Sequence, residues 1–150
     1  MRSSKQLPLI GWREVVALPQ LNIPAIKAKI DTGARSSALH AYHIEHYTEA
    51  GVAMIRFWVH PYQKNTRDSI QAQAQLLEMR KVRNSGGVAQ LRPAIETVVK
   101  LGEREWSIEL TLTNRDVMGF RMLLGRQAVR NHFLIDPGHS FLQSKAVERK

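Results

Sequence analysis

The chain has 150 residues, 43% hydrophobic and 23% charged, with 22 Lys and Arg against 13 Asp and Glu for a formal net charge of +9. This length suits one globular domain over 1–150, able to bury a core without covalent staples. The absence of cysteine excludes disulfides, thiolate-held metals and a cysteine nucleophile, and no apolar run approaches the ~20 residues that span a bilayer.

Residues 1–8 are expected to fray. No apolar leader core is visible in them, so a soluble cytoplasmic protein without membrane contact is the expectation. Leu9 to Leu18 is apolar and rich in strand formers, and Pro19 ends it. From Pro24 to Asp31, Ile26, Ala28 and Ile30 alternate with Lys27 and Lys29, the period of a half-buried strand. Leu39 to Tyr47 fits a strand or a short helix. Val52 to His60 is a strand with Ile55, Phe57 and Val59 on one face, stopped by Pro61. From Ser69 to Met79, glutamines alternate with apolar residues, which favours a strand. Asn84-Ser85-Gly86-Gly87 is turn chemistry between extended segments, a hairpin tip. Ala94 to Leu101 and Glu105 to Thr113 are two more strands, and Phe120 to Leu124 is a short buried one. A short helix is expected near Gln127 to Asn131. Phe133 to Ile135 returns as a strand before the turn Asp136-Pro137-Gly138, and residues 143–150 are expected to fray. Many short strands and one late helix predict a mostly-β, single-domain barrel or sandwich.

Residues 1–50 carry 6 basic and 4 acidic side chains, 51–100 carry 8 and 3, and 101–150 carry 8 and 6. The surplus is densest at Arg80, Lys81 and Arg83. A basic surface suits an acidic partner or serves as a solvated face. No arginine-rich tail or basic–aromatic array points to nucleic acid.

Of four aspartates, Asp68 and Asp116 lie in polar loops and Asp136 in a turn. Asp31 differs, because it ends an apolar strand and precedes Thr32-Gly33-Ala34. A carboxylate at a strand mouth, followed by a hydroxyl and a glycine whose N–H is free to approach it, is an active-site pattern. The same tripeptide also makes an ordinary Asp-initiated turn. His40, His43 and His46, near Glu45 and Glu49, share a face on a helix but not on a strand, and zinc is the metal such a set would hold. The alternative is that they are polar positions of an amphipathic element. Ser36 or Ser37 with His40 is a weaker nucleophile pattern. No phosphate-binding loop is present, so any ATP link must come through a partner.

Ile30-Asp31-Thr32-Gly33-Ala34 resembles the active-site motif of retropepsin-like aspartic proteases. Met122-Leu123-Leu124-Gly125-Arg126 resembles their late apolar-Gly segment before a short helix, and the Gly-rich hairpin at Asn84 to Gly87 falls where they keep a flap. Gly11-Trp12-Arg13-Glu14, the stretch Ile23 to Lys29, Asp31 to Ala41 and Leu112-Thr113-Asn114-Arg115 are similar to a bacterial family usually named ATP-dependent zinc proteases. Some of its members are encoded beside an ATP-grasp ligase that adds glutamates to protein tails.

The resemblance implies an acid-protease barrel and an endopeptidase. Asp31 and its copy in a homodimer would serve as acid and base, sharing one proton. Thr32 would lock the two loops, and Gly33 would donate to the carboxylates. Ala34, Arg35, Ser85, Gly86, Gly87, Leu124, Gly125 and Arg126 would line the substrate, with no cofactor. Arg35 departs from the pattern, since an apolar or small residue is common there. If Arg35 and Arg126 face the cleft, an acidic peptide is the natural ligand, such as a glutamate-modified tail. The rival readings are a zinc peptidase built on His40, His43 and His46, and a non-catalytic basic barrel that binds an anionic partner.

Overall fold

Strand alternation builds most of the molecule. The computed structural model describes residues 7–62, 68–83, 86–115 and 119–145. The strands are β1 (Leu9–Ile10), β2 (Arg13–Leu18), β3 (Ile23–Asp31), β4 (Ser37–His40), β5 (Tyr42–Glu49) and β6 (Val52–Val59). They continue as β7 (Ile70–Gln75), β8 (Glu78–Arg83), β9 (Ala89–Leu101), β10 (Arg104–Thr113), β11 (Met122–Gly125) and β12 (Leu134–Ile135). Among the described residues the one α-helix is α1 (Arg126–Val129).

Six strands close a barrel in the order β10-β4-β11-β3-β2-β9, with β9 returning to pair with β10 and β8 added outside β9. The core fills with every second residue of these strands: Ile26, Ala28 and Ile30 from β3, Ile108, Leu110 and Leu112 from β10. A separate sheet, β5-β6-β7, packs Ile55, Phe57 and Val59 into the same core. The fold is therefore the mostly-β barrel with one short helix expected from the sequence.

Several boundaries differ. Leu9 to Leu18 is two strands. Gly11 lies so close to the His139 backbone that an added Cβ would sit 2.3 Å from its carbonyl oxygen, and the chain steps sideways there. Leu39 to Tyr47 is divided at buried Ala41, whose N–H donates to Thr113 O at 2.8 Å, so β4 and β5 enter different sheets. Ser69 to Met79 breaks at Leu76 and Leu77 before β8. The helix is Arg126–Val129, earlier and shorter than Gln127 to Asn131.

Part of the expected frayed end is anchored. Glu14 is fully buried, on the same face of β2 as Val16 and Leu18. Its Oε2 accepts from Gly11 N and Leu142 N, both at 2.7 Å. Its Oε1 accepts from Gln143 N at 3.1 Å and Ser144 Oγ at 2.6 Å. One carboxylate thus ties residues 142–144 to the barrel.

Candidate active site

The Asp31 loop is fixed by a strand from much later in the chain. β11 lies between β3 and β4, parallel to β3, with Gly125 in register with Asp31. Glycine is required at 125 by close approach: an added Cβ would lie 2.4 Å from Ser36 O and 2.9 Å from Ala34 O. Gly125 N donates to the buried Ser37 Oγ at 3.0 Å. Arg126 N donates to Ala34 O at 2.7 Å, and Gln127 N to Arg35 O at 3.1 Å. The helix start therefore stitches down the loop that carries Asp31.

Asp31 itself is half-buried at the strand end. Its Oδ1 accepts from Gly33 N at 3.0 Å, and its carbonyl from Ala34 N at 3.2 Å. This is an Asx turn, and it also points a backbone N–H at the carboxylate, so the two readings of the tripeptide describe one geometry. Thr32 is exposed, and its carbonyl accepts from Arg126 Nη1 at 2.9 Å. Arg126 thus braces the loop. Arg35 is exposed and lines a groove beside the loop.

Leu124 does not line a ligand site. It is fully buried, in register with Ile30, because both alternate into the barrel core. Gly86 and Gly87 are exposed at the end of the β8–β9 hairpin, where Gly87 has φ 84° and its carbonyl accepts from Arg83 Nη1 at 2.6 Å. Ser85 lies outside the described residues.

The three spaced histidines are not gathered. His40, at the end of β4, has its ring 3.2 Å from Asn114 O and 3.3 Å from the Arg121 guanidinium. His43 sits at a bulge in β5 with φ 50°, and exposed His46 pairs with Ile55 further along. Among the described residues no group of three His, Asp or Glu is arranged to hold a metal. Ser37 is buried with its hydroxyl committed to Gly125 N, three residues along β4 from His40.

A groove of about 520 Å³ opens next to the loop, and most of its residues were not singled out from the sequence. Arg35, Ser36 and Ser37 form one side, Trp106 to Glu109 of β10 the floor, Arg80 of β8 a rim, and Gln127, Ala128 and His132 the far wall. Trp106 Nε1 donates to Ala128 O at 2.9 Å, and its ring stacks on His132 with centroids 4.9 Å apart. Burial, then the nearby Arg104 charge, hold the His132 pKa below the ordinary histidine value. The sequence signals for it were Arg35, Ser36 and Ser37 after the Asp31 motif and the basic run at Arg80.

Comparison with known proteins agrees with the fold. The profile of the RimB-like family, described as retropepsin-like aspartic endopeptidase RimB, matches residues 9–146. A probable alpha-L-glutamate ligase of Shewanella pealeana is 42% identical over 133 residues, covering 89% of this chain and 29% of that protein. One from Parasynechococcus marenigrum is 46% identical over 129 residues, covering 86% and 28%. The chain therefore spans less than a third of the length of these curated relatives. A crystal structure of a Legionella pneumophila protein of unknown function is similar with TM-score 0.73 and 28% identity, covering 91% of this chain and 98% of that one.

Proposed function

Since the chain belongs to the RimB-like family of retropepsin-like aspartic endopeptidases, we propose that it hydrolyses peptide bonds through a homodimeric pair of Asp31 carboxylates. The observation that carries this is Asp31 at the end of β3, held by Gly33 N–H and by the Gly125 register. A single chain offers one such motif, so the second carboxylate comes from a second copy related by a two-fold axis. Two carboxylates in contact cannot both ionise and share one proton. The ionised member takes a proton from water as its oxygen attacks the amide carbon. The protonated member gives its proton to the carbonyl oxygen. Collapse of the tetrahedral intermediate then breaks the C–N bond: the carboxyl that took the water proton gives it to the leaving nitrogen, and the other carboxylate takes back a hydroxyl proton, so the pair again holds one proton. Thr32 would hold the two loops together, and no metal or other cofactor is needed. Gly86 and Gly87 would cover the substrate.

The substrate proposed is an acidic, glutamate-bearing protein tail. Its support is the name of the curated relatives, probable glutamate ligases, together with the basic side chains around the Asp31 loop. The relatives also suggest a functional partnership with a glutamate ligase, through which any ATP dependence would enter.

The decisive test is Asp31→Asn. It is expected to lower hydrolysis by about 10²–10⁴-fold while circular dichroism and thermal melting stay native. Activity surviving in that variant removes the dyad. A wild-type protein that binds acidic polymers but cleaves none makes the barrel a binding module instead.

A further inference from the structure

The groove beside the Asp31 loop holds charges that are unevenly satisfied. Arg80 is paired with two carboxylates: its Nη2 lies 2.6 Å from Glu78 and 2.9 Å from Glu109. Those carboxylates, Glu78 first, raise its pKa against the opposing effect of burial. Arg35 stands differently. It is exposed, and among the described residues no carboxylate pairs with its guanidinium. The apolar side of the groove is preformed, because the Trp106 indole is pinned to Ala128 O and stacked on His132. Gln127 adds a side-chain amide donor beside them. The groove thus presents a rigid wall for a short aliphatic stem, one uncommitted guanidinium for a carboxylate, and a second guanidinium already occupied.

We propose that this groove is a subsite for one acidic side chain of a bound peptide, in which Arg35 takes the carboxylate and Glu109, together with Glu78, keeps Arg80 from accepting a second. The assignment rests on the peptidase reading above and deepens it. It makes the residue that departs from the usual retropepsin pattern a specificity determinant. It also makes Glu109 a limiter, because an incoming carboxylate meets like charge at the Arg80 rim. The stem of a glutamate suits the Trp106 wall, since its methylenes lose water against the indole while the charge reaches the guanidinium.

The test uses the full chain carrying Asp31→Asn, so that binding is read without cleavage. Calorimetry compares tetraglutamate with tetraglutamine. Tetraglutamate is expected to bind more tightly, and adding Arg35→Gln is expected to lower its affinity by about ten- to a hundredfold, to the level of tetraglutamine. Arg35→Lys is expected to restore part of the loss. Adding Glu109→Gln instead, which removes one of the two carboxylates on Arg80 and leaves Glu78 in place, is expected to tighten tetraglutamate severalfold. Equal affinity for the two peptides, a preference that survives Arg35→Gln, or no response to Glu109→Gln overturns the assignment. Cleavage by the chain with Asp31 intact is scored separately. Discrimination by a protein that cleaves nothing ends the peptidase reading alone, and cleavage indifferent to Arg35 ends the subsite alone.

Discussion

At the scale of single residues, two buried charges have opposite consequences. Glu14 is fully buried yet accepts four hydrogen bonds, all from the N-terminal turn and the 142–144 segment. Glu14→Ala leaves three backbone N–H groups and one hydroxyl without an acceptor. Unfolding in urea is expected to show a loss of about 3–5 kcal/mol, and a loss below about 1 kcal/mol would mean that water replaces the carboxylate. Arg92 is the reverse case. It is 9% exposed, among the described residues its Nε donates to Gln90 Oε1 at 2.9 Å and no carboxylate pairs with it, and burial together with the Arg115 charge lowers its pKa. A buried cation without a carboxylate among the described residues is a cost, so Arg92→Met is expected to leave the melting temperature unchanged or raise it. A clear fall would show that Arg92 has an anionic partner in solution.

At the scale of elements, the strand that matters most is β11. Its short apolar run was legible, and so was Gly125, but not its insertion between β3 and β4, because parallel pairing across the whole chain leaves no local pattern. Gly125→Ala pushes a methyl into the Ser36 carbonyl and is expected to cost about 3 kcal/mol or more. It should also loosen the Asp31 loop, read as lost protection of the Gly33 and Ala34 amides in hydrogen exchange. The strands β3, β6 and the first half of β10 were readable because each keeps one side in the core and the other more exposed, whereas β10 from Leu110 to Thr113 is buried on both sides. The joint at Ala41 was not, since nothing in Leu39 to Tyr47 announces a change of sheet. Glu14 did leave a signal, a charge in phase with Val16 and Leu18. The groove left almost none, because its walls come from four distant segments. The segment after α1 carries a pH effect. The His132 pKa lies below the ordinary 6.5, so on acidification the unfolded chain takes up that proton before the folded one. Its contribution to stability is complete above about pH 6.5 and is lost as pH falls toward the folded value. His132→Phe keeps a ring beside Trp106 without the titration. Its melting temperature relative to wild type is expected to rise between about pH 7.5 and 5.5, and a constant difference would remove the effect.

At the scale of the whole molecule, the net charge acts on two processes in opposite directions. Each copy carries a formal +9, so in the proposed dimer two copies meeting at Asp31 would repel over distances longer than any contact. An acidic peptide is drawn in by the same field. Screening weakens both forces, since the Debye length falls from about 10 Å at 0.1 M salt to about 3 Å at 1 M. Over that range the homodimer is expected to tighten, measured as weight-average mass by sedimentation equilibrium at fixed protein concentration. The affinity of the Asp31→Asn protein for tetraglutamate is expected to weaken. In the proposed dyad, activity on an acidic substrate would need both the second carboxylate and the bound peptide, and should then pass through a maximum at intermediate salt. On a neutral peptide it should rise with salt until dimerisation is complete. If the mass instead falls with added salt, opposite charges rather than apolar contacts hold the copies together. The interface would then have to bring basic and acidic side chains face to face, and the expected salt profile would invert for both substrates.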